Sequence, residues 1–138
     1  MSAVPRAYAY FRVIGETLPF DQITEAMGVD PTEAWNKGDR GTYVQSRPNS
    51  GWCLHSPLPQ SNTNLGEHVE AVMRLLQERE PTVIELSRKF KTHLVCVGWY
   101  NETASPGLFF PKGTVERIAR MGMAIDADLY FAGGPVAL

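Results

Sequence analysis

No glycine-rich phosphate loop is found anywhere in this chain, so nucleotide-dependent phosphoryl transfer lacks its usual cradle. Lys and Arg are scattered rather than clustered, and a formal charge of −2 gives no long-range attraction for DNA, RNA or anionic lipid. Nucleic acid is not an expected partner. No apolar run approaches the roughly 20 residues of a membrane-crossing helix. The N-terminal region, where Arg6 leads into alternating tyrosines and alanines, does not read as a secretory signal. A cytoplasmic protein with no membrane association is expected. Cysteine is scarce. Cys53 and Cys96 each sit inside an apolar strand-like run, as buried thiols of a reducing compartment do, and nothing suggests a disulfide framework. No internal repeat or low-complexity segment occurs.

What is present fits one globular unit: 138 residues with 43% hydrophobic content are enough to bury a core without staples. A single α+β domain over 1–131 is expected, followed by a loose C-terminal tail at 132–138 that holds Gly133, Gly134 and Pro135. The two ends of this domain share one pattern. Ala7, Ala9, Phe11 and Val13 alternate with Tyr8, Tyr10 and Arg12, and Ile125, Ala127 and Leu129 alternate with Asp126, Asp128 and Tyr130. A period of two sends neighbouring side chains to opposite faces, so both segments read as strands with one apolar and one aromatic, charged side.

Between them, Phe20, Ile23, Ala26 and Met27 have helical spacing, with Gly28 as the stop. Asp30, Pro31 and Glu33 predict a short helical turn carrying Trp35 against the core edge and ending at Gly38. The β-prone runs Thr42–Gln45 and Trp52–His55 flank turn-forming residues and predict a hairpin. Asn64 and Glu67 form a capping pair before a helix with the stripe Leu65, Val69, Val72, Met73 and Leu76. Pro81 ends that helix and starts another. Leu94–Tyr100, apolar on both faces, predicts a buried interior strand. Leu108–Phe110 reads as a brief strand. A helix over 112–121 turns Val115, Ile118 and Ala119 inward and stops at Gly122. This order favours a mainly antiparallel sheet with helices packed on one face, a ferredoxin-like variant with an extra helix and strand.

The tyrosine-rich first strand, Gly28, Pro31 and Thr32, Gly38 and Asp39, Arg47, Trp52 and Ser56, then Gly122, Ile125, Asp126, Asp128 and Tyr130 together resemble the bacterial domain-of-unknown-function family 4279. The resemblance runs over nearly the whole chain and leaves the tail after Phe131 outside. It implies a small, stand-alone bacterial protein and brings no established reaction or ligand.

Candidate chemistry is sparse. Asp126 and Asp128 lie two apart on one strand, about 6–7 Å between backbones, a spacing at which two carboxylates can share a hard cation. No third carboxylate stands at matching spacing, and pairing of one aspartate with Arg12 or tyrosine hydroxyls is the plainer reading. Cys53, His55, His93 and Cys96 are zinc-ligand types, but three-residue spacing sends His93 and Cys96 to opposite faces of a strand. No metal and no cofactor are expected. His68 falls on the outer side of its helix. Arg47 and Trp52, with Asp39 and Arg40, form a second candidate binding cluster, against which stands the reading of Trp52 as a core residue.

These features favour a non-catalytic binding module whose face of Tyr8, Tyr10, Arg12, Asp126, Asp128 and Tyr130 recognises a protein partner or a second copy. An inhibitor or immunity-type protein of a bacterial toxin locus is one version. The alternative is a small metal-dependent enzyme or ligand-binding protein using Asp126 and Asp128, and a third reading makes all of these residues fold determinants.

Overall fold

The structure, a computed structural model, describes residues 4–101 and 107–131. In chain order it contains β1 (Arg6–Gly15), α1 (Phe20–Met27), β2 (Glu33–Trp35), β3 (Ser50–His55), α2 (Leu65–Gln77), α3 (Glu80–Lys89), β4 (Lys91–Tyr100), α4 (Lys112–Arg120) and β5 (Ala124–Phe131). The sheet order is β2-β3-β1-β4-β5. Pairings among β1 to β4 are antiparallel, whereas β5 joins β4 in parallel through α4. The first four strands have the order of a ferredoxin-like sheet, to which α4 and β5 are appended. The fold is α+β with a mostly antiparallel sheet.

Local signals explain most of these elements. Gly28 closes α1 at φ 70°, a left-handed conformation that an L side chain adopts only with strain. Asn64 Oδ1 accepts the Glu67 N–H at 3.2 Å and caps α2. The α2 stripe Leu65, Val69, Val72, Met73 and Leu76 is buried against Ala7, Ala9, Phe11 and Val13 of β1. Removing each of the larger side chains from water is worth about 1.5–3 kcal/mol. Small Ala7 and Ala9 let the helix layer approach the sheet closely. No described helix is long and apolar enough to cross a membrane.

Four local expectations are corrected. Residues 33–35 form β2, because Glu33, Ala34 and Trp35 pair with Cys53, Trp52 and Gly51 of β3 and this ladder outweighs the helical capping signals. Thr42–Gln45 is a loop tip closed by the Gly41 N–H to Val44 carbonyl bond, so the hairpin joins β2 to β3 through residues 36–49. Leu108–Phe110 is not a strand. On α4 it is Thr114 and Ile118 that are buried, while Val115 and Ala119 are exposed; the Thr114 hydroxyl donates to Glu70 on α2 at 2.6 Å and turns that side inward.

His68 also departs from expectation. It is fully buried, held by Ser56 Oγ at 2.9 Å from Nδ1 and the Asn62 carbonyl at 2.7 Å from Nε2. The segment after β3 folds over α2 and covers a helix face that periodicity alone assigns to solvent. The tail at 132–138 and most of the loop before Gly107 lie outside the described residues.

Candidate functional site

Strand register places the predicted side chains on one face. Tyr8, Tyr10 and Arg12 of β1 stand opposite Val97, Val95 and His93 of β4. Val97, Val95 and Trp99 in turn stand opposite Asp128, Asp126 and Tyr130 of β5. Directly paired residues share a face, so Tyr8, Tyr10, Arg12, Asp126, Asp128 and Tyr130 all project from the side away from the helices. Cys53 and His55 of β3 and Glu33 and Trp35 of β2 extend the same face.

Aromatic rings cover much of it. His55 stacks on Tyr10 at 4.6 Å and on Tyr8 at 5.6 Å between ring centroids. At one end Trp99 stacks on Tyr130 at 4.2 Å, and the Arg6 guanidinium lies 5.0 Å from the Trp99 ring. At the other, Arg47 lies 3.9 Å from the Trp35 ring, which itself rests on the bare backbone of Gly51. Beneath these groups Val95, Val97 and Cys53 are buried although no helix covers them.

The loop at 36–49 is an ordered rim. Backbone bonds run from Gly38 N–H to the Arg47 carbonyl and from Arg47 N–H to the Asp39 carbonyl, while the Asp39 carboxylate accepts the Asn36 N–H. Its tip presents Tyr43, 84% exposed. Tyr43 is close enough to help raise the Tyr8 phenol pKa, although burial is the larger cause.

Arg12 reaches across β4 to Asp126 at 3.2 Å, joining the first and last strands. Asp128 has no such partner among the described residues; burial first, then the charge of Asp126, pushes its pKa up. Burial raises the Tyr10 phenol to about 12 and lowers the pKa of both His55 and His93. Among the described residues, the buried side-chain polar atoms without a hydrogen-bond partner are Arg12 Nε, Arg47 Nε, His55 Nε2, His93 Nδ1 and Trp99 Nε1. All of them belong to this face or its rim. Each such group costs about 1–3 kcal/mol while it stays unpaired.

Trp52, a sequence candidate for binding, is corrected: it is fully buried on the helix side, packed edge-on against Phe11, with its indole N–H donating to Thr24 Oγ1 at 3.1 Å. The Arg47–Trp52 cluster is therefore split by the sheet, and Trp35 takes the place beside Arg47. Cys96 also points to the helix side, opposite Cys53, and burial pushes both thiols up to about 12. No group of three or more His, Cys, Asp or Glu among the described residues is placed to hold a metal ion.

Sequence reasoning missed Arg6, Trp35, Tyr43 and Trp99 as members of this surface. Trp99 was within reach, since Lys91, His93, Val95, Val97 and Trp99 alternate as the tyrosines do. Residues 5–132 match the family described as Domain of unknown function (DUF4279). The chain belongs to that family. No curated protein and no solved structure matches it. In this DUF4279 member the open face is thus the place where unpaired polar groups and exposed rings coincide.

Proposed function

We propose that this protein is a non-catalytic recognition module whose open sheet face binds a protein partner. The observation that carries the reading is the gathering of the Tyr8, Tyr10, Trp99 and Tyr130 rings with Arg6, Arg12 and Arg47 on the sheet face turned away from the described helices. A partner that covers these rings gains aromatic contact area and meets the guanidinium groups beside them. An inhibitor or immunity-type role in the bacterial cytoplasm is the form we favour, and finding a toxin gene beside this one in the host genome would support it. The test is capture of partners from the native host by wild type and by a Tyr10→Ala, Asp128→Ala double variant. Loss of a specific partner in the variant is expected; identical partner sets and identical oligomeric state overturn the reading.

The placing of Asp126 and Asp128 on one face of β5 supports a second reading, in which the two together accept a cation or cationic substrate. Against it, Asp126 is already engaged by Arg12. Calorimetric titration with magnesium, manganese and calcium separates the two, since heat of binding that disappears in Asp128→Asn is expected only for the second.

A further inference from the structure

We infer that the partner of the open face is an acidic protein segment laid lengthwise along β1, with carboxylates seated on Arg6 at one end and Arg47 at the other. The inference rests on the recognition role proposed above and names the chemistry of the partner.

Arg6 and Arg47 are alike in construction and opposite in position. Each guanidinium lies over a tryptophan, at 5.0 Å from Trp99 and 3.9 Å from Trp35, and neither has an ion pair among the described residues. Stacking on an indole fixes the plane of the guanidinium while leaving the edge of its fork free, which suits a bidentate carboxylate. Arg6 is level with Trp99, whereas Trp35 is level with Gly51 and Ile14. Eight residues at about 3.3 Å each, with two strand spacings sideways, put the forks roughly 25–30 Å apart. An extended segment of about eight or nine residues spans that distance.

The anions of the face leave both forks free. Asp126 is held by Arg12, Glu33 faces His55 at 4.0 Å, and Asp128 stands at the β5 edge, away from the line between the forks. An incoming chain that offers carboxylates and backbone carbonyls is complementary to this arrangement; a basic chain is not. The rings of Tyr8, Tyr10 and His55 lie nearly parallel, with angles of 19°, 12° and 8° between planes, so part of each face is occupied by a neighbouring ring. That leaves less platform for stacked bases, which favours a peptide over single-stranded nucleic acid.

The experiment titrates the full chain with fluorescent decaglutamate, decalysine and a single-stranded RNA decamer, at low and at raised salt. Decaglutamate is expected to bind, to weaken with salt, and to lose about tenfold or more in affinity in Arg6→Ala, Arg47→Ala. The Arg6→Lys, Arg47→Lys form keeps the charges without the planar forks and is expected to fall between. Unchanged melting of the arginine variants shows that the fold is intact. Failure of decaglutamate to bind, equal binding by the double alanine variant, or tighter binding of the RNA overturns the inference. Failure here with the host partner still lost in the Tyr10→Ala, Asp128→Ala form leaves the recognition role standing and removes only the acidic chemistry.

Discussion

His68 shows what a single side chain contributes to the helix layer that backs the sheet. The Asn62 carbonyl can only accept, so Nε2 donates to it, while Nδ1 pairs with the Ser56 hydroxyl, whose oxygen in turn accepts the Leu58 N–H at 3.2 Å. One imidazole thereby fastens the 56–62 segment to α2. His68→Ala removes both bonds and leaves a void, and is expected to cost about 2–4 kcal/mol in urea unfolding. Trp52→Phe, which loses the Thr24 bond and some volume, is expected to cost about 1–3 kcal/mol while leaving partner capture unchanged. A loss of partner with no change in stability would return Trp52 to the binding surface. Both residues illustrate a limit of periodicity. Trp52 could be placed only once its pairing with Val13 was known, and His68 only once the segment covering it was seen.

Among the elements, β2 has the weakest local signal and a large effect on the face. Its three residues are too few to show alternation, and Asp30, Pro31 and Glu33 form a helix-start pattern; pairing with β3, nearly twenty residues on, decides the matter. Gly51 makes that pairing productive. A Cβ there would collide with the Trp35 ring, so glycine is what allows the indole to lie on β3 and support Arg47. Gly51→Ala is expected to dislodge Trp35, loosen the 36–49 loop and lower stability by about 1–3 kcal/mol, with faster proteolysis confined to that loop. Cleavage spread evenly over the chain, or no change, argues against this role. By contrast α1, α2 and β1 were legible from sequence because their signals are local: Gly28 at a left-handed stop, Asn64 at a cap, and strict alternation from Ala7 to Val13.

For the whole molecule, the titratable groups predict a stability plateau near neutral pH. The Thr114 hydroxyl, with Arg117, holds Glu70 below its ordinary value of 4.5, so its contribution is present above that pH and lost as pH falls through the folded value. Burial lowers His55 and His93 from 6.5, so the unfolded chain takes up protons first and stability declines as pH drops below 6.5. Cys53 and Cys96 move from 9.0 to about 12, and their contribution is present below pH 9 and lost as pH rises toward 12. Urea midpoints should therefore be flat from about pH 6.5 to 9 and fall on both sides, with Glu70→Gln flattening the acid limb and Cys53→Ala, Cys96→Ala the alkaline one. Limbs unchanged in those variants contradict the assignment. Taken by itself, the sequence determined the four helices, the long strands and the buried side of β1, because caps, glycine stops and side-chain periods act over a few neighbouring residues; on β5 the alternation is there, but Ile125 and Leu129, read as core-facing, are exposed because this edge strand lies beyond the core. Only the tertiary structure decided that these polar sides meet across β4, that Trp52 faces inward while Trp35 and Arg47 face outward, and that His68 is enclosed. Those outcomes depend on strand register and on chain segments far apart in sequence, which no local pattern encodes.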